Sequence, residues 1–215
     1  FGASGLIGGL LVQELINDSS IAKIHWVSRG SSSISNRKIV VFKMNFSNLE
    51  QIEKSIQNST IVFSAIGTTK AKVGGDKVEY RKVDYDINLL IAKCCLNLNV
   101  EQFQLVSSSG ADITSNNFYL KLKGEIERGI FDLKLPSALI FRPSLLLGKR
   151  KEFRFGERIA QLLMPLILFS NNYKPIKAKR VAKQMNTYSK INLKGNHLIS
   201  NAELLKGISL RKELR

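Results

Sequence analysis

Apolar positions along this chain alternate between two periods. Directly after a glycine-rich turn, residues 6–17 (LIGGLLVQELIN) carry apolar side chains at the three- and four-residue spacing of an amphipathic helix. Short runs rich in β-branched and aromatic residues follow at 24–28, 39–44 and 60–66, each closed by a polar or glycine break, and these predict strands. Residues 49–57 predict a polar-faced helix, 83–98 a long helix, 103–107 a strand ending in Ser107-Ser108-Ser109-Gly110, 118–133 a helix, and 139–142 a strand closed by Pro143. Strand and helix alternating with short breaks is the signature of a parallel sheet covered on both faces, so the expected class is α/β with a Rossmann-like doubly wound sheet. After Pro143 the alternation weakens into a basic helix-like segment through Phe169, a loop at 170–173 and a helix from about Ala178. The expectation is a single Rossmann-like domain, with a cofactor-binding core over 1–142 and a substrate-side extension over 143–215 beside the carboxyl ends of the strands.

The opening turn, Gly2-Ala3-Ser4-Gly5-Leu6-Ile7-Gly8, has three glycines spaced G-x-x-G-x-x-G. Such a turn lets the backbone approach a pyrophosphate and presents the positive end of the next helix to it. Gly2, Ser4, Gly5, Leu6, Ile7 and Gly8 are therefore candidate cofactor-binding residues. A glycine turn of this kind normally follows a complete strand, and only Phe1 precedes it, so the true start is expected to lie upstream.

The later loops extend the candidate site. Enzymes that bind NAD usually place a carboxylate after the second strand to accept from the ribose hydroxyls. Here Val27-Ser28-Arg29-Gly30 holds no acid, and the planar fork of Arg29 suits a phosphate, which favours NADP(H) over NAD(H). Asn45 and Phe46 after the third strand, and Ala65, Ile66, Gly67 and Thr68 after the fourth, are expected to line the adenine and pyrophosphate. Tyr119 and Lys123 stand four apart on one helix face, where an ammonium can hold a phenol acidic enough to exchange a proton with a carbonyl. Ser107-Ser108-Ser109, ending the preceding strand, supplies a hydroxyl to orient that carbonyl. His25 and His197 have no carboxylate or cysteine at ligand spacing, so no metal site is expected. Trp26 falls on an apolar strand and reads as core.

Composition narrows the setting. The chain has 215 residues, 44% of them hydrophobic, enough apolar surface for the core of one α/β domain. Cys94 and Cys95 are sequence neighbours and form no disulfide framework, which suits a reducing compartment. No apolar run approaches the roughly 20 residues of a membrane span, and a cytoplasmic protein is the expectation. The net charge is +16, and from Lys149 onward 16 Lys and Arg face 4 Asp and Glu. Those basic residues are not interleaved with stacking aromatics and accompany no nucleic-acid-binding signature, which argues against a nucleic-acid or membrane partner. They leave solvation, or attraction of an anionic cofactor, as their reading. The long helices flanking the sheet offer a face for a homodimer.

Several blocks together resemble the atypical short-chain dehydrogenase/reductases related to the Tat-interacting protein oxidoreductases, a family with a fungal mitochondrial branch. They are the glycine turn, Phe63-Ser64-Ala65-Ile66-Gly67-Thr68-Thr69, Val83-Asp84-Tyr85, Leu105 to Asp112, Tyr119 to Glu127, and Arg142-Pro143-Ser144-Leu145. The resemblance implies that the glycines and Arg29 hold NADP and that Tyr119 is the acid/base with Lys123 its partner and cofactor contact. It makes Ser108 or Ser109 the orienting hydroxyl, and puts Arg142, Pro143 and Leu145 at the nicotinamide end. Asn45 stands where the family often has Asp, and Ser144 where it usually has Gly. The leading expectation is an NADP-dependent oxidoreductase acting on a small carbonyl or alcohol. The alternative is a non-catalytic NADPH-binding sensor or regulator. An epimerase acting on a nucleotide sugar is argued against by the short tail and the missing ribose-binding acid.

Overall fold

The computed structural model describes residues 1–30, 34–148 and 170–208. Helix α1 (Leu6–Asn17) leads to β1 (Ile24–Ser28), β2 (Ile39–Lys43), α2 (Leu49–Ile56) and β3 (Ile61–Ser64). Helix α3 (Lys77–Arg81) runs through a π-helical turn, Lys82–Asp86, into α4 (Ile87–Asn97), followed by β4 (Gln102–Val106), α5 (Phe118–Asp132) and β5 (Ser137–Arg142). A short pair, β6 (Leu146–Leu147) and β7 (Ile176–Lys177), precedes α6 (Ala178–Tyr188), β8 (Gly195–Ser200) and α7 (Asn201–Lys206). The basic segment expected through Phe169 lies outside the described residues.

Among the described residues every strand pairing is parallel. β1 pairs with β2, β6 with β7, and β3-β4-β5-β8 form a four-stranded sheet in that order. Phe1 extends along β3, its ammonium donating to the Phe63 carbonyl at 2.8 Å and its own carbonyl accepting from the Ala65 amide at 3.1 Å. Strand β5 shows why both faces must be covered. Ala138 and Ile140 join Ile52, Ile91, Phe103, Ile126 and Ile130 from α2, α4, β4 and α5 on one side. Leu139 and Phe141 join Ile7, Leu11 and Leu15 of α1 and Val181 and Met185 of α6 on the other. Alternate residues of one strand thus feed two cores, which is the doubly wound arrangement expected from the sequence. Cys94 and Cys95 are free and buried, and burial pushes the Cys94 thiol up to about 11.

Besides the short β6, β7 and α7, which the sequence reading did not include, two larger elements differ from it. The helix expected over 83–98 starts earlier, at Lys77, because Asp76 caps it by accepting from the Val78 and Glu79 amides. Strand β8 had no counterpart in the sequence pattern. Its GNHLIS segment is polar and half exposed, and its register is set by pairing from Ser137 opposite Gly195 to Arg142 opposite Ser200. The chain after Pro143 therefore supplies an edge strand of the main sheet. Some of its basic residues are structural: Arg180 Nε donates to the Leu204 carbonyl at 2.9 Å near the end of α7, and Lys190 pairs with Asp18.

Asp18 joins α1 to α6. Its carboxylate accepts from the Ser20 hydroxyl at 2.7 Å and from Asn186 Nδ2 at 2.8 Å, while Lys38 Nζ donates to the Ile16 and Asp18 carbonyls at 2.9 and 2.7 Å. Burial opposes its charge, but the contacts from Lys190, Ser20 and Asn186 outweigh it and hold Asp18 well below the usual carboxylate range. Such a group stabilises the fold above its unfolded pKa and loses that contribution as pH falls through its folded pKa. Asp18→Ala is expected to lower Tm at pH 7 by roughly 3 to 8 °C. In thermal melts across pH, the gap from the wild-type chain should narrow below the ordinary carboxylate value of 3.8 and stay constant above about pH 5.

Candidate functional site

The turn at the start of α1 is shaped by contacts that only glycine permits. Gly2 has φ +78°, and a Cβ there would lie 2.6 Å from the Ala65 carbonyl carbon; one on Gly8 would lie 2.2 Å from the Gly2 carbonyl oxygen. The Gly5 amide donates to the Gly2 carbonyl at 2.9 Å and closes the turn. Gly5 is also the N-cap residue, and since it has no side chain and the first turn holds no acid, the leading amides of α1 are not satisfied from within the helix. Ser4 is exposed, Leu6 half-buried and Ile7 buried. A cradle of bare backbone at a positive helix end fits a pyrophosphate, so the residues present suit the dinucleotide expected from the sequence.

At the ends of β1 and β2, Arg29 and Asn45 share the wall of an open hollow of about 540 Å³ with Lys43 and Ser47. Lys43 pairs in register with Ser28, directly before Arg29, which brings a second cation to the position where a phosphate was expected. Sequence reasoning missed Lys43, and its only signal was the strand register. Asn45 closes its own turn by accepting from the Ser47 amide at 3.1 Å and the Ser47 hydroxyl at 2.6 Å. Phe46 has φ 66°, a strained conformation for a bulky residue, and its ring lies 6.2 Å from that of Phe1.

The Tyr119 and Lys123 pair sits on α5, which starts where Asn117 accepts from the Tyr119 and Leu120 amides at 3.0 and 3.1 Å. Lys123 is buried, its ammonium 5.8 Å from the Tyr119 ring centre and 2.8 Å from Asp84 Oδ1. Burial disfavours the ammonium, but Asp84 and then Tyr119 outweigh it and raise the Lys123 pKa. The phenol of Tyr119 is hydrogen-bonded to Ser108. Its pKa is raised by burial, against the downward pull of Lys123 and Ser108. The expected acidifying influence of Lys123 is therefore present and is outweighed by desolvation, which leaves the phenol protonated at neutral pH.

The three serines after β4 take three different partners. Ser107 donates to Glu127, the Ser108 hydroxyl lies 3.2 Å from the Ser109 carbonyl and also meets the Tyr119 phenol, and the Ser109 hydroxyl lies 2.9 and 2.8 Å from the Arg142 and Asn172 carbonyls. Ser109 thus binds the end of β5 to the loop at 170–173, and Ser108 is the hydroxyl facing the phenol. Arg142 is engaged by Glu127, with Nε 3.0 and 3.1 Å from its two carboxylate oxygens. The Pro143 carbonyl accepts from the Ser109 amide at 2.9 Å and the Leu145 carbonyl from the Ile176 amide at 2.9 Å. Ser144 donates its backbone amide to Asn201 Oδ1 at 2.9 Å and its hydroxyl to the Tyr173 carbonyl at 2.7 Å, and only the second of these bonds would be lost with a glycine there.

Asp84, to which the sequence motif assigns no role, joins the two ends of the site. While Oδ1 holds Lys123, Oδ2 accepts from the Thr68 amide at 2.7 Å. Thr68 belongs to the loop at 65–68 whose Ala65 lies under Gly2. The sequence offered no signal that singled it out, because Glu79, Arg81, Lys82 and Asp86 make the surrounding stretch equally charged. Among the described residues no group of three or more His, Cys, Asp or Glu is placed to hold a metal ion, and no helix is long and apolar enough to cross a membrane.

Comparison with known proteins agrees with this geometry. Residues 2–135 match the family described as NAD(P)H-binding. The chain is 37% identical over 152 residues to Protein FMP52-1, mitochondrial, of Scheffersomyces stipitis, covering 70% of this chain and 67% of that one. It is 32% identical over 167 residues to Protein HTATIP2 of Rattus norvegicus, covering 74% and 66%. Among solved structures, MoeE5 in complex with UDP-glucuronic acid and NAD superposes with TM-score 0.71 at 16% identity, covering 92% of this chain and 73% of that one. The Citrobacter triphenylmethane reductase complexed with NADP(H) gives 0.67 at 14%, covering 93% and 67%. At these identities the structures speak to the fold alone. The cytoplasmic location expected from composition is overturned by the relatives from Scheffersomyces stipitis, Emericella nidulans and Saccharomyces cerevisiae, all named as mitochondrial proteins. The chain belongs to the NAD(P)H-binding family, as an atypical short-chain dehydrogenase/reductase related to the Tat-interacting protein.

Proposed function

We propose that this protein is an NADP-dependent oxidoreductase that reduces a small carbonyl compound to the alcohol. The observation that carries the reading is the continuity from the glycine turn through the loop at 65–68 to Lys123 and Tyr119, made by the Gly2–Ala65 contact and the two bonds of Asp84. In this reading the α1 amides bind the pyrophosphate, Arg29 and Lys43 take the phosphate on the adenosine ribose, and Asn45, Phe46, Ile66 and Gly67 line the adenosine side. A nicotinamide cofactor held by these residues would supply the hydride to the carbonyl carbon. As the C=O π pair moves to oxygen, Tyr119 donates its proton there and becomes phenolate, and the Lys123 ammonium stabilises that charge until solvent returns the proton. Ser108 holds the carbonyl oxygen by donating to it, and Arg142, Pro143 and Leu145 shape the nicotinamide end. The mitochondrial names of the fungal relatives support a mitochondrial location.

Titration of the protein with NADPH and NADH, followed by Trp26 fluorescence, tests the cofactor. NADPH is expected to bind at least about tenfold more tightly, and Arg29→Ala to weaken NADPH by about 10- to 100-fold with little effect on NADH. Binding of neither nucleotide would overturn the reading.

A panel of small aldehydes and ketones tests the chemistry. Tyr119→Phe is expected to keep NADPH affinity and lower kcat by at least about 100-fold. Because the phenol's pKa lies above its ordinary value of 10.0, reduction should be flat through neutral pH and fall only above that value, whereas alcohol oxidation, which needs the phenolate, should rise with pH. Tight NADPH binding with no turnover of any member of the panel would favour the regulatory alternative.

A further inference from the structure

The polar groups that remain unexplained by proton transfer converge on Asp84. It is buried on the π-helical turn Lys82–Asp86, a rare interruption of regular helix that is frequent at functional sites. The turn is braced from beneath: Asn88 Nδ2 donates to the Asp84 carbonyl at 3.0 Å, and Asn88 Oδ1 accepts from the Ser64 hydroxyl of β3 at 2.5 Å. Thr68 is held on both sides of its residue, since its amide donates to Asp84 and its carbonyl accepts from the Tyr80 hydroxyl at 3.2 Å.

The charges facing Lys123 can be assigned. Tyr119 and Glu127 lie on its own helix, Asp84 on the π-helical turn, and Tyr80 of α3 faces Asp84 and Tyr119. Glu127 is matched by Arg142 and Ser107, so Asp84 is the carboxylate in direct contact with the Lys123 ammonium. A buried ion pair is an expensive way to gain stability, because apolar side chains of similar volume commonly do as well. What apolar side chains cannot do is fix the charge of an amine while holding a backbone amide with the second oxygen.

We propose that Asp84 is a positioning residue of this site: one carboxylate oxygen holds the Lys123 ammonium and the other the Thr68 amide, so that the amine and the cofactor-facing loop are set by a single group. The proposal rests on reading Lys123 as the partner of Tyr119, but its geometry stands without any cofactor or substrate. The dependence runs in one direction, with burial working against the ammonium and Asp84 working for it.

The test is an NMR titration of the full chain carrying ¹³C-labelled lysine and ¹⁵N-labelled backbone, with Lys123 assigned through Lys123→Met. In the wild type, Lys123 is expected to stay protonated up to its ordinary value of 10.5. In Asp84→Asn, which keeps an acceptor for Thr68 and removes the charge, the Lys123 midpoint should fall by about one to three units. Asp84→Glu should restore it. A role confined to stability would lower Tm in Asp84→Asn without moving that midpoint, and an unchanged midpoint overturns the proposal. Should Asp84→Asn fail to fold, Lys123→Met is itself decisive: the Thr68 amide resonance is expected to move as its acceptor loses its partner, and an unmoved Thr68 overturns the proposal. Both readouts are taken without nucleotide, so failure of NADPH to bind refutes the proposed function and leaves these outcomes legible.

Discussion

The start of α1 can approach the sheet only because Gly2 and Gly8 lack a Cβ. A methyl group on Gly8 would sit 2.2 Å from the Gly2 carbonyl oxygen, and one on Gly2 would run into Ala65. Everything downstream depends on that approach. It lays Ile7, Leu11 and Leu15 into one of the two main cores, aims the unsatisfied amides of the helix at the mouth of the sheet, and seats the turn on the loop that ends β3. The same backbone economy that lets the helix pack leaves bare amides at the turn, an arrangement that suits an anion.

From that loop the site is carried by buried polar bonds. Thr68 reaches Asp84, Asp84 reaches Lys123, and Lys123 lies against Tyr119, whose hydroxyl meets Ser108 at the end of β4. Parallel to this chain runs a second one, in which Glu127 binds Ser107 and Arg142 and so ties α5 to the ends of β4 and β5. Low local dielectric strengthens both chains and makes each member costly to leave unpaired. The electrostatics also set a direction. The phenol and the ammonium are both favoured in their protonated forms, which suits the proton donation proposed for Tyr119.

Much of this was legible in the sequence wherever a local rule determines structure. The glycine spacing, the apolar period of α1, the short apolar runs that became β4 and β5, and the four-residue step from Tyr119 to Lys123 are all properties of neighbouring residues. What escaped depends on residues far apart in the chain. Asp84 and Thr68 meet only once α3 and α4 fold against β3, and Lys43 joins Arg29 only through the register of β1 with β2. Strand β8 lacks a strong apolar alternation because it is an edge, ordered by pairing with β5 more than by its own side chains. The net pKa of Tyr119 escaped for a related reason: spacing reveals the lysine but not how deeply the phenol is desolvated.

The central claim is that the glycine turn and the loop at 65–68 form one nucleotide cradle. It is tested most directly by amide ¹H–¹⁵N spectra of the protein with and without NADP⁺. The account predicts that the largest shifts fall on Gly5, Leu6, Ile7 and Thr68, with a second group around Arg29 and Asn45. Shifts confined to the exposed basic face of α6, or no shifts at saturating nucleotide, would contradict it.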